Sequence, residues 1–162
     1  MTFNLQTFTL FHVLVSLGGI VSGLVVAGGL AGGRRLATWA AVFLVTTLAT
    51  SVTGFGFPSD TVLPSHIVGI ISLVVLAAVI VAHVKDLAGP WLRVYASGVV
   101  AATYLNCFVL VAQLFRRVPD LAALAPTQSE LPFALAQLLV LASFVWLGVA
   151  ANAGSPSRVA AR

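Results

Sequence analysis

The strongest constraint in this sequence is where its charges are missing. Five apolar runs, near residues 8–31, 36–55, 63–84, 91–115 and 131–151, carry no charged side chain in their middles, and Arg93 stands near one end of the fourth. A bilayer-spanning helix needs about 20 consecutive apolar residues, and each run meets that length. Overall, 60% of the 162 residues are hydrophobic and 7% are charged. A soluble domain carries about a quarter charged residues and could not cover its surface with so few. The pattern therefore predicts an all-α, polytopic membrane helix bundle of five transmembrane helices, or four if one run is re-entrant.

Punctuation separates the runs. Gly32-Gly33-Arg34-Arg35 ends the first, Gly54-Phe55-Gly56-Phe57-Pro58 the second, Lys85-Asp86 the third and Arg116-Arg117 the fourth. Between the last two runs, Pro119 and Pro126 bracket a short apolar piece that reads as one interfacial turn of helix. Thr127, Gln128, Ser129 and Glu130 then offer groups suited to a helix start. Residues 1–152 form a single transmembrane domain on this reading, and 153–162 a short basic tail. No lysine or arginine precedes the first run, which is also too long for a signal-peptide core, so it is expected to remain in the mature chain.

The net charge of +4 does not point to nucleic acid, because the arginines sit in pairs at the ends of apolar runs. Cations so placed set membrane orientation. One side would hold Arg34, Arg35, Lys85, Arg93, Arg158 and Arg162. The other would hold Arg116 and Arg117 with Asp60, Asp120 and Glu130. The cation-rich side should face the cytoplasm, leaving the N-terminus outside and the C-terminus inside. The lone Cys107 has no intramolecular partner and excludes a disulfide framework.

Polar side chains inside such runs are functional candidates. His12 and His66 fall at nearly the same depth in the half of the bundle expected to be outer; His83 lies at the opposite end beside Lys85 and reads as interfacial. Thr50, Asn106, Gln113 and Gln137 gather in the same half, with Thr46 and Thr53 completing a hydroxyl stripe on the second helix. Each alone is best read as helix-to-helix glue. Together they suggest a polar pocket open at that face, with His12, His66, Asn106, Gln113, Gln137 and Thr50 as its ligand-binding residues. Gly19 and Gly23, and Gly28 and Gly32, form GxxxG spacings that predict a close helix contact, within the bundle or between subunits. Gly19 and Gly69 would leave room for a ring.

Two functions follow. In one, the pocket binds a small molecule that is quinone-like, lipid-like or haem b, with His12 and His66 as metal ligands in the haem case. In the other, the polar groups bond helix to helix in a non-catalytic accessory or scaffold subunit, as a homo-oligomer or within a larger membrane complex. Paired intramembrane carboxylates are missing, and so are the sequence signatures of hydrolases, metalloproteases and nucleotide-binding loops.

Two stretches resemble a known group. Thr53-Gly54-Phe55-Gly56-Phe57-Pro58 with the segment from Leu63-Pro64-Ser65-His66 to Leu73, and Tyr104-Leu105-Asn106-Cys107-Phe108-Val109-Leu110 with Leu124-Ala125-Pro126-Thr127-Gln128-Ser129-Glu130-Leu131-Pro132-Phe133, are similar to small bacterial integral membrane proteins without an established function. The resemblance extends over most of the chain. It implies a bacterial inner-membrane location and carries no activity or site residues with it.

Overall fold

The computed structural model describes residues 4–57 and 64–159, all of whose regular structure is helical. Six helices follow in order: α1 (Leu5–Ala31), α2 (Ala37–Gly54), α3 (Pro64–Val84), α4 (Trp91–Arg117), α5 (Pro119–Leu124) and α6 (Leu131–Val159). Five of them are long and apolar enough to cross a membrane, and α5 is the expected short turn. Pro58, Ser59, Asp60, Leu63 and Arg162 lie outside the described residues. The α6 backbone continues beyond the expected end at Ala151, although its apolar span closes at Gly154.

Local chemistry explains the boundaries. The Asn4 side chain accepts a hydrogen bond from Gln6 N at 3.0 Å and caps α1. Gly33, at φ 70°, ends α1 in a left-handed turn, with Arg34 N donating to Gly29 O and Gly33 N to Leu30 O. These are the 6→1 and 5→2 bonds of a Schellman motif. The end of α3 repeats it with a non-glycine residue: Asp86 takes φ 54°, Leu87 N donates to Ala82 O, and Asp86 N to His83 O. Leu87, 8% exposed, closes that turn against the core. Pro119 opens α5, where a first-turn amide would lack a partner anyway.

The loop before α6 departs from the expected helix cap. The Glu130 carboxylate accepts from Thr127 N (3.1 Å), the Thr127 hydroxyl (2.8 Å) and Ser129 N (3.1 Å). It therefore ties the loop to itself, and α6 begins with Ala134 N bonding Glu130 O. Gln128, at φ 59°, pins the loop to α4 by donating to Ala112 O at 2.6 Å.

Helix α1 packs on α2, α2 on α3, α3 on α4, and α4 back on α1, which closes a ring of antiparallel neighbours. Helix α6 lies outside the ring against α1 and α4, and α5 rests on α4. The register of α1 on α2 is unbroken along the pair: His12 meets Thr53, Gly19 meets Thr46 and Thr47, Gly23 meets Phe43, and Gly29 meets Leu36. Small residues permit this approach. A Cβ at Gly23 would sit 2.2 Å from Thr103 Oγ1 and 3.0 Å from Phe43 Cδ2. The Gly19/Gly23 face is thus a contact within the bundle. Gly28, by contrast, meets nothing within 4 Å and Gly32 belongs to the α1 cap, so the second GxxxG spacing makes no helix contact in this chain.

The core includes Phe43, Leu76, Val79 and Val99, with fully buried Ser22, Thr47 and Thr103 among them. The outer surface is apolar: Leu139, Val145, Trp146 and Val149 of α6 are all more than half exposed. A surface of that kind suits contact with lipid, the solvent implied by the five apolar spans.

Candidate functional site

Two groups of polar side chains lie in the half of the bundle where α1 begins. The first surrounds the end of α2. His12 Nδ1 lies 2.8 Å from Thr53 Oγ1, which itself donates to Ala49 O at 2.7 Å. With the hydroxyl hydrogen directed to Ala49 O, a tautomer carrying hydrogen on Nδ1 is the one that can donate to Thr53. The Phe57 ring meets His12 edge-on at 5.1 Å and Phe8 at 5.0 Å. On the other flank, His66 stacks on Phe55 at 5.5 Å. Both histidines therefore lie at the same end of the bundle, His12 engaged by α2 and His66 by Phe55, the residue that follows α2. The room expected beside Gly69 is filled by the chain's own Phe55, whose Cζ is 3.1 Å from where a Cβ would stand.

The second group is deeper. A Cβ at Gly19 would stand 3.0 Å from Thr47 Oγ1 and 3.3 Å from Asn106 Nδ2, so these atoms converge over α1 from α2 and α4. Thr47 is wholly buried, and neither Thr47 Oγ1 nor Asn106 Nδ2 has a hydrogen-bond partner in the protein. Thr50 Oγ1, one turn along α2, is also buried and unpaired. An unsatisfied buried polar atom costs about 1–3 kcal/mol. Three in one neighbourhood are a substantial charge against a structure unless something supplies their partners. Close by, Ser51 donates to Ser72 Oγ at 3.0 Å, both nearly fully buried, which joins α2 to α3.

The remaining expected residues go elsewhere. Gln137 of α6 donates to Phe108 O at 3.1 Å and serves the α4–α6 contact, with its Oε1 left unpaired. Gln113 is exposed. Thr46 and Thr53 each bond carbonyls of their own helix. The buried hydroxyl stripe of α2 is Thr47 and Ser51, four residues apart, and not Thr46, Thr50 and Thr53 alone. Its signal was the i, i+4 spacing of two hydroxyl residues, which also occurs where such residues face lipid and bond their own carbonyls. Among the described residues no three His, Cys, Asp or Glu side chains gather into a metal-sized cluster.

The arrangement places hydrogen-bond donors and acceptors deep among apolar side chains, below the aromatic and imidazole rings at the end of the bundle. From the level of His12 to that of Gly19 is about 10 Å at 1.5 Å per helical residue. Comparison with protein-family models, with curated proteins and with solved structures finds no match for this chain.

Proposed function

We propose that the protein binds a small amphipathic molecule with carbonyl or hydroxyl oxygens, quinone-like in its chemistry, in the half of the bundle that holds His12 and His66. The observation that carries this reading is the pair of buried, unpartnered atoms Thr47 Oγ1 and Asn106 Nδ2 over Gly19, with the unpartnered Thr50 Oγ1 one turn further along α2. An amide N–H and two hydroxyls are what an oxygen-bearing head group needs, and apolar walls with a few convergent polar groups are how small-molecule sites are built. The rings of Phe8, Phe55, Phe57, His12 and His66 would receive the rest of the molecule at the rim. The surrounding membrane is proposed to be the bacterial inner membrane. With Arg34, Arg35, Lys85 and Arg93 at the cytoplasmic end, this half faces outward.

The test is mass spectrometry of small molecules that co-purify with the protein, combined with a visible spectrum before and after dithionite. The reading expects a colourless or quinone-absorbing ligand that is lost in Asn106→Leu and Thr47→Val. A Soret band lost in His12→Ala and His66→Ala would replace the quinone-like ligand by haem. No co-purifying molecule, with both apolar variants more stable than the wild type, would overturn the binding reading.

A second reading has its own support. Ser51–Ser72, His12–Thr53 and Gln137–Phe108 each tie one helix to another, as in a bundle whose polar groups serve assembly. The broad exposed apolar face of α6 would then meet a second copy or another membrane subunit.

A further inference from the structure

At the opposite end of the bundle, α4 and α6 leave a groove of about 550 Å³ between them. Its walls are apolar along most of their length: Val100, Ala101 and Tyr104 from α4, with Leu141, Phe144 and Val145 from α6. It is graded toward one end. There Asn152 Nδ2 donates to Ser97 Oγ at 3.1 Å and to Gly148 O at 2.9 Å, and Ser97 is exposed. One helical turn beyond Ser97, on the same face of α4, stands the exposed Arg93. The exposed Arg34 and Arg35 close α1 at this end, and Arg35 lies within electrostatic reach of Tyr95 on α4. The Arg34 turn also adjoins α6, because Gly154 packs so close to Ala31 O that a Cβ there would lie 2.3 Å away.

The sequence along the groove is therefore cation, hydroxyl and amide, then hydrocarbon. A phospholipid has the same order: phosphate, ester and glycerol oxygens, then acyl chain. From Asn152 to Leu141 the groove runs about 16 Å along α6, about the full hydrocarbon depth of one leaflet. We propose that this groove is a binding site for one anionic phospholipid, with its phosphate on Arg93, its ester region at Ser97 and Asn152, and an acyl chain along Val100, Tyr104 and Phe144. Charge complementarity selects the occupant: three arginines at one end disfavour a second copy of this chain, which would bring its own arginines to the contact. The site is separate from the His12 half of the bundle and does not depend on the ligand proposed there.

The full chain reconstituted in nanodiscs of equal phosphatidylglycerol and phosphatidylcholine, then released for native mass spectrometry, tests this. The wild type should retain one phosphatidylglycerol in preference to phosphatidylcholine. A cation near a lipid surface contributes about 1 kcal/mol, so Arg93→Gln should reduce that preference about fivefold. Lys85→Gln, on the exposed end of α3, should leave it unchanged. Gly148→Leu should fill the groove and remove the retained lipid, and Arg93→Gln, at an exposed position, guards against a loss caused by misfolding. Equal retention of the two lipids by the wild type, an unchanged preference in Arg93→Gln, or an equal loss in Lys85→Gln would each overturn the proposal. So would a dimer mass that Gly148→Leu converts to monomer.

Discussion

Asn106 and Glu130 show how differently a polar side chain behaves inside and at the edge of this bundle. Asn106 holds a buried Nδ2 without a protein partner, so its replacement reports what occupies the site. If a ligand oxygen meets Nδ2, Asn106→Leu should lose the co-purifying molecule and lower the thermal midpoint measured in detergent, because a bound ligand stabilises the folded state by mass action. If nothing meets it, the same variant removes a penalty of about 1–3 kcal/mol and the midpoint should rise. Glu130 lies outside the spans. Desolvation, the largest single influence, pushes its carboxyl up, but hydrogen bonds from the Thr127 hydroxyl and the amides of Glu130, Thr127 and Ser129 together outweigh it. The carboxyl therefore titrates below its ordinary value of 4.5. A depressed carboxylate stabilises above its unfolded pKa, and that contribution is lost as pH falls through the folded one. The protection factors of the Thr127 and Ser129 amides against hydrogen exchange, taken relative to the intrinsic rate at each pH, should fall on acidification through that range. Glu130→Gln should lower those protection factors at neutral pH and leave them nearly independent of acidification; an unchanged protection profile would show that the carboxylate does not hold the loop.

At the scale of helices, the decisive contact is α1 on α2 and α4. Gly23 lies where a Cβ would fall 2.2 Å from Thr103 Oγ1, and Thr103 is itself fully buried and bonded to Val99 O. The neighbour cannot move away cheaply. Gly23→Leu should destabilise the bundle by about 1–3 kcal/mol or more, the usual range for overpacking. Gly28→Leu should cost little, since nothing lies within 4 Å. Equal midpoints for the two variants in a detergent thermal-unfolding assay would refute this account of the α1 face. The five spans were legible in the sequence because length and charge-free composition alone define them. Helix rotation was not legible. In a soluble protein polar residues mark the outer face, but here lipid and core are both apolar, and Leu24 facing out differs little in chemistry from Val26 facing in. The Gly19/Gly23 contact could be read from its spacing, whereas the identical spacing at Gly28 and Gly32 led nowhere, because the α1 turn begins there. Of the candidate site residues, His12 and His66 were visible as rare intramembrane histidines. Thr47 was hidden, since its importance lies in a carbonyl bond it does not make.

For the molecule as a whole, the antiparallel order of α1, α2, α3 and α4 puts the α3–α4 turn and the α5 segment at opposite ends. The half that holds His12, Thr47 and Asn106 lies on the α5 side, and the arginine-flanked α4–α6 groove toward the other end. Which compartment each end meets decides which molecules can reach it, so sidedness is the prediction on which the functional readings depend. Cations beside short loops bias orientation because they resist transfer across the membrane. Arg34, Arg35, Lys85 and Arg93 flank the α3–α4 end, against Arg116 and Arg117 at the other, where Asp120 and Glu130 also lie. The bias therefore predicts a cytoplasmic α3–α4 turn. With Cys107→Ala as background, Ala88→Cys and Ala123→Cys place single thiols at exposed positions in that turn and in α5. A membrane-impermeant maleimide added to intact cells should label Ala123→Cys and spare Ala88→Cys until the membrane is opened. The reverse pattern would invert the protein and place the His12 half on the cytoplasmic side. Labelling of both from one side would mean that the helices do not cross the bilayer as an antiparallel bundle, and the shared depth of Thr47 and Asn106 would then have no membrane frame to define it.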